Sequence, residues 1–193
     1  MDERTRSGFI TWLFPHVADG SRVLDLGCGD GGLLTSLKKE KGISGHGIDI
    51  DSAMVLQCLS NGVPVFLSDI EEGLSEFPSE SFDYVVLSRT LQAVKNPGRI
   101  LKEMVRIGKF GIILFENFGY MPVRHYVMLR GSIPVFRTGG AVCSGKSFKQ
   151  MCRKSGIRIL AEAGFTGGRK IPSLFLNSTA EELAYLVKKG GKD

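Results

Sequence analysis

The residues with chemical reach gather in Val23-Leu24-Asp25-Leu26-Gly27-Cys28-Gly29-Asp30-Gly31-Gly32, where a short apolar run meets a glycine loop with carboxylates at Asp25 and Asp30. Glycines let backbone approach a ligand closely, and a helix that starts in such a loop aims its first amides at that ligand. Together they mark a site for a nucleoside cofactor. Gly27, Gly29 and Gly32 also fit the G-x-G-x-x-G spacing of a dinucleotide turn, which is a weak signal by itself. Asp25 separates the two readings. A carboxylate at the strand end repels a pyrophosphate. S-adenosylmethionine has no phosphate; its ammonium and sulfonium favour carboxylates, and its own carboxylate suits loop amides. Asp25, Gly27, Cys28, Gly29 and Gly31 are therefore expected to bind S-adenosylmethionine or its product S-adenosylhomocysteine.

Two further carboxylates follow. Asp49 closes the strand-like Gly45-His46-Gly47-Ile48, a little beyond the ~20 residues expected between a glycine turn and a ribose-binding acid. It is predicted to accept both ribose hydroxyls, with Ile50 beside it, whereas Asp51 is predicted to cap a helix from Ser52. Asp69 ends Val63-Pro64-Val65-Phe66-Leu67-Ser68 and by position receives the adenine amino group, with Ile70 stacking on the ring. Ser88 is the last cofactor-binding candidate; with Arg89 and Gln92 it stands where a transferable methyl would lie, although Gln92 reads equally as a surface residue on a short helix. Tyr120 and Arg124 are placed to orient an anionic acceptor, yet Arg124, His125 and Arg130 equally describe a solvated or partner-facing helix. No catalytic residue is assigned, since in-line methyl transfer needs orientation and exclusion of water more than an acid or base. His46, between glycines, reads as a packed or edge histidine, and the small size of Cys28 accounts for its place in the loop.

These residues must be positioned by alternating elements. An amphipathic helix over about Arg4 to Phe14 stops at Pro15, and strands are predicted at the apolar run before Gly27, at Gly45 to Asp49, Pro64 to Leu67, Ser81 to Ser88 and Gly111 to Phe115. Helices fall between them, one around Leu33, Leu34 and Leu37, one over Ser52 to Ser60, and one started by the cap and first-turn proline Asn96-Pro97. Ser147 to Ser155 reads as a helix, Ile157 to Leu160 as a strand, and Ala180 to Lys189 as either. Such alternation requires parallel pairing with right-handed crossovers, hence a doubly wound α/β sheet with helices on both faces and ligands beyond the carboxyl ends of its strands.

With 193 residues, 42% of them hydrophobic, the chain is expected to form one domain. Residues 1–20 would be an N-terminal helix and turn, 21–119 the cofactor-binding core, and 120–193 a variable segment with the C-terminal strands. No apolar run reaches the length of a membrane span, and Met1-Asp2-Glu3-Arg4 does not read as a signal peptide. The expectation is a cytoplasmic protein. Cys28, Cys58, Cys143 and Cys152 form no C-x-x-C pair, and three histidines without ligand spacing predict no metal. The net charge of +5 is scattered; no nucleic-acid partner is expected, and Lys188-Lys189 through Lys192 reads as a frayed tail.

The loop with its strand-ending acid resembles class I S-adenosylmethionine-dependent methyltransferases, a resemblance that implies a Rossmann-like seven-stranded sheet, mostly parallel, with a reversed C-terminal strand pair. Leu24 to Gly31, Phe82 to Ser88, Thr90-Leu91-Gln92-Ala93-Val94, Glu103-Met104 with Arg106-Ile107-Gly108, and Asn117-Phe118-Gly119 are together similar to the MetW family of methionine biosynthesis. That similarity covers about Ser21 to Val135. It implies a bacterial protein that binds S-adenosylmethionine and acts with or on a homoserine O-acyltransferase; an active methyltransferase on a small-molecule acceptor is the alternative, and a homodimer is left open. The chain departs from the family at Glu116, where Pro is usual, and after Pro134-Val135, where an aromatic segment usually follows.

Overall fold

A computed structural model of the chain describes residues 3–131 and 143–191, with side chains from residue 8 onward. The helices are α1 (Glu3–Leu13), α2 (Gly32–Lys41), α3 (Ser52–Ser60), α4 (Ile70–Gly73), α5 (Pro97–Ile107), α6 (Met121–Arg130), α7 (Gly145–Lys154) and α8 (Leu176–Thr179). The strands are β1 (Arg22–Leu26), β2 (Ser44–Asp49), β3 (Val65–Leu67), β4 (Phe82–Ser88), β5 (Gly108–Glu116), β6 (Ile157–Thr166), β7 (Arg169–Ile171) and β8 (Glu182–Lys189). All join one sheet in the order β3-β2-β1-β4-β5-β8-β6-β7. β1 to β5 pair in parallel, while β8 runs antiparallel to both β5 and β6.

This is the expected α/β sheet with helices on both faces and a reversed C-terminal pair. Its eighth strand is the addition. β6 turns through Gly167 and Gly168, both at positive φ (54° and 76°), into β7. A two-residue loop with positive φ at both positions matches the right-handed twist of a hairpin. The segment around Ala180 to Lys189, open between helix and strand, is strand β8, so Lys188 and Lys189 are not a frayed tail: Lys188 pairs with Arg158 and Lys189 with Ile157. α1 ends at Leu13 and hands over to a 3-10 turn at Phe14–His16, with Pro15 as the stop.

Strand alternation divides the core between the two faces. Leu24, Leu26, Val85, Leu87, Ile113 and Phe115 pack with Ile100, Leu101 and Met104 of α5 and Phe148 of α7. Val23, Tyr84, Val86, Ile112 and Leu114 pack with Phe9, Trp12 and Leu13 of α1 and with Leu34 and Leu37 of α2. The second face is also where Asp25 and Ser88 fall by strand parity. Asn96 caps α5 by accepting from the Arg99 amide at 3.2 Å, and Asp51 caps α3 by accepting from the Ala53 amide at 2.8 Å. From β1 the chain winds outward to β3 and then returns to β4 on the other side of β1. Ligands of doubly wound sheets bind at that reversal.

Candidate ligand-binding site

The loop after β1 is fixed before any ligand arrives. Gly27, Gly29 and Gly31 all have positive φ (74°, 56° and 74°), which only glycine adopts freely. At Gly27 a Cβ would lie 2.4 Å from Thr90 Oγ1, so the loop and the segment after β4 touch at a point with no room for a side chain. Backbone amides of Gly27 and Cys28 both donate to Ile48 O, at 2.8 and 3.0 Å. That of Gly29 donates to Asp49 Oδ2 at 2.7 Å, that of Gly31 to Cys28 O at 3.0 Å, and that of Gly32 to Asp30 Oδ1 at 3.0 Å. The first three of these amides hold the loop to β2 and the last two turn it on itself, so all five have an acceptor within the protein.

Asp49 is braced on both oxygens, since Oδ1 accepts from the Asp51 amide at 3.0 Å. A cleft of about 480 Å³ is lined by Asp49, Ile50, Asp69 and Ile70 together with Gly27, Arg89 and Thr90. Ile50 is largely exposed and Ile70 buried. Asp69 caps α4, accepting from the Glu71 amide at 2.8 Å, and Glu71 Oε1 in turn accepts the amides of Lys95 and Asn96 at 3.1 and 3.0 Å, closing the cleft's outer rim. Thus Gly27, Asp49, Ile50, Asp69 and Ile70 come together as the sequence suggests. Asp25, Cys28, Gly29, Gly31 and Ser88 stand behind the lining and not in it. Cys28 turns its thiol inward, 3.9 Å from Cys58 Sγ, and burial pushes that thiol up, far from a reactive thiolate.

Asp25 is the perturbed carboxylate of this set. It is 2% exposed, its Oδ1 is buried without a hydrogen-bond partner, and its carboxyl is pushed up to about 7, first by burial and then by the nearby charge of Asp49. An orphaned carboxyl beneath a ligand cleft is costly to maintain and is a common mark of a functional position.

Arg89 and Glu182 were the less legible part. Arg89 adopts φ 60°, lines the cleft, and holds its Nη2 2.5 Å from Oε1 of Glu182, whose side chain is 4% exposed. Burial raises the Glu182 carboxyl to about 7 against the opposing pull of Arg89. Glu182 is paired across β5 and β8 with Glu116, an unfavourable placement of like charges that would have been a signal had the strand been recognised. Gln92 is no surface residue: it is 2% exposed, and its Nε2 donates to Glu116 O at 2.8 Å. Tyr120 precedes α6, and α6, which carries Arg124, His125 and Arg130, has no buried residue and contributes nothing to the cleft lining. His46 packs against Phe66 and Phe82, with centroids 6.1 Å away in each case, the packed one of the two placements expected. The proposed difference after Pro134-Val135 lies outside the described residues. Among the described residues no His, Cys, Asp and Glu cluster could hold a metal, and no helix is long and apolar enough to cross a membrane.

A family model described as methionine biosynthesis protein MetW matches residues 9–187. The chain belongs to the MetW family. It is similar to the bifunctional methionine biosynthesis protein MetXA/MetW of Rhodopirellula baltica, 37% identical over 123 residues that cover 60% of this chain and 20% of that protein. It is also similar to the ubiquinone biosynthesis O-methyltransferase of Pseudomonas entomophila, 30% identical over 130 residues that cover 64% of this chain and 56% of the other. The chain thus spans about a fifth of the first relative and about half of the second. Among solved structures, an S-adenosylmethionine-dependent methyltransferase of Archaeoglobus fulgidus superposes with a TM-score of 0.71 over 95% of this chain and 93% of that chain, at 19% identity. At that identity the match shows the fold.

Proposed function

We propose that this MetW-family chain binds S-adenosylmethionine or S-adenosylhomocysteine in the cleft at the sheet's reversal, and through it acts with or on a homoserine O-acyltransferase. The observation that carries the cofactor reading is Asp49: both oxygens are held by backbone amides, so the carboxylate stands rigidly at the rim with lone pairs left for a ribose diol. Other features agree. The volume of about 480 Å³ suits a nucleoside with an amino-acid tail, and the orphaned Asp25 carboxyl beneath the loop suits a cationic ligand, which favours its ionised form. Support for the partner comes from the Rhodopirellula baltica relative, whose name joins a MetXA part to a MetW part. The relatives named as O-methyltransferases support methyl transfer to a small acceptor as a second reading.

Calorimetry with S-adenosylhomocysteine tests the first step. Saturable binding that Asp49→Ala weakens by roughly 1.5–3 kcal/mol per lost charge-assisted bond is expected; unchanged affinity would place the ribose elsewhere. Titrating the protein into a homoserine O-acyltransferase assay tests the second, with raised turnover expected and a flat response counting against the partnership. Release of labelled methyl groups from the cofactor in a cell extract, above background hydrolysis, would instead favour the methyltransferase reading.

A further inference from the structure

A ligand with an amino-acid tail brings an anion into this cleft, and the loop that would ordinarily receive it is closed. The amides of Gly27, Cys28, Gly29, Gly31 and Gly32 each already donate to an acceptor within the protein. The wall formed by Asp49, Asp69 and Glu71 is acidic and repels an anion. Two cations line the cleft, Arg89 and Lys95. Lys95 is exposed on the outer rim, where its amide is tied to Glu71 next to the proposed adenine end. Arg89 lines the cleft next to Thr90, which touches Gly27 of the β1 loop, and its side chain is 27% exposed. Its backbone is held in the left-handed region, where a non-glycine residue is strained, and its Nε is buried without a hydrogen-bond partner. Glu182 of β8, which is not part of the cleft lining, holds Nη2 at 2.5 Å. Glu182 thereby anchors Nη2, and with Nε buried the guanidinium meets a ligand through its remaining N–H groups, which a carboxylate accepts as charge-assisted bonds.

We infer that Arg89 receives the carboxylate of the ligand's amino-acid tail, and that Glu182 is the positioning residue that holds Arg89 in place for it. The inference rests on the cofactor reading above and assigns that site its anion receptor. It implies that the cleft selects nucleosides that carry a carboxylate over those that lack one.

The test compares two probes, S-adenosylhomocysteine and 5′-methylthioadenosine, which share the adenosine and sulfur and differ in the amino-acid tail. Wild-type protein should prefer the first. Arg89→Gln should weaken S-adenosylhomocysteine by roughly tenfold or more, as loss of a charge-assisted pair does, and leave 5′-methylthioadenosine within about twofold. Glu182→Gln should lower the same preference by a smaller factor without altering the binding of 5′-methylthioadenosine, a split that a merely structural role would not produce. Equal weakening of both probes by Arg89→Gln, or an unchanged affinity for S-adenosylhomocysteine, would overturn the assignment. Wild-type protein that binds neither probe would overturn the cofactor reading itself and this inference with it, so the two failures are distinguishable.

Discussion

Replacing Asn117 should damage this protein more than any change in the cleft, and the size of the effect can be worked from its contacts. Asn117 follows β5 and is 2% exposed. Its Nδ2 faces three carbonyl oxygens, Leu176 at 3.4 Å, Asn177 at 3.0 Å and Ala180 at 2.9 Å, while Oδ1 accepts the amides of Gly119 at 2.9 Å and Gly145 at 3.3 Å. One side chain thus ties the end of β5 to the starts of α6 and α7 and to α8. Two N–H donors and two accepted bonds, at about 1 kcal/mol each, give about 4 kcal/mol for Asn117→Ala. For a chain of this size that is a fall of about 8–16 °C in Tm. Asn117→Asp is the sharper probe. It keeps the acceptor for Gly119 and Gly145 but turns a carboxylate oxygen toward the three carbonyls, so the folded state raises that acid above its unfolded value. The penalty is therefore full at pH 7 and shrinks as pH falls and the acid takes up a proton with which to donate. Urea unfolding followed by circular dichroism at pH 7 and pH 4.5 measures both. A variant within 1 kcal/mol of wild type at pH 7, or a deficit that does not narrow at pH 4.5, would refute the reasoning.

Asp25 gives a second pH signature. Its unfolded carboxyl titrates near 3.8 and its folded one near 7, so the folded state binds more protons between these values and stability falls as pH rises through that window. Asp25→Asn should flatten that decline and be more stable than wild type at pH 8 by ~2–4 kcal/mol, while weakening a cationic ligand; parallel stability curves from pH 4 to 8 would contradict the assigned burial. Gly27→Ala should cost about 1–2 kcal/mol from φ 74° alone, plus the contact with Thr90, and adding Thr90→Ala should restore the contact part but not the φ part; a double variant no better than the single one on thermal melts would argue against that contact. In the acyltransferase assay, Asp49→Ala should lose any ligand-dependent stimulation while keeping its fold by circular dichroism.

What the sequence revealed was what short segments decide. Asp51 and Asn96 could be recognised as caps because capping joins a side chain to an amide two or three residues on. The β1 loop and Asp49 followed from spacing within one βαβ unit. β8 escaped because it is buried along most of its length on both faces, which removes the alternation that betrays a strand. With β8 undetermined, Glu182 had no address and its pairing with Arg89 was invisible. Gln92 was misplaced for a related reason: a polar residue in a short segment reads as exposed, and its acceptor, Glu116 O, belongs to a different strand. Within the family-like pieces, Gln92 and Asn117 turn out to fasten segments together outside the cleft lining, while Thr90, Ala93 and Val94 beside Gln92 line it.

The insertion of β8 between β5 and β6 has a temporal consequence. A chain emerging from the ribosome can pair β1 to β5 and close the glycine loop on β2 early, since those contacts lie within the first stretch synthesised. Glu182 arrives last, and until β8 slides between its neighbours Arg89 has no counter-ion. The growing protein therefore closes the glycine loop beside the cleft first and gains its hold on Arg89 second, so the Arg89–Glu182 ion pair marks a completed sheet.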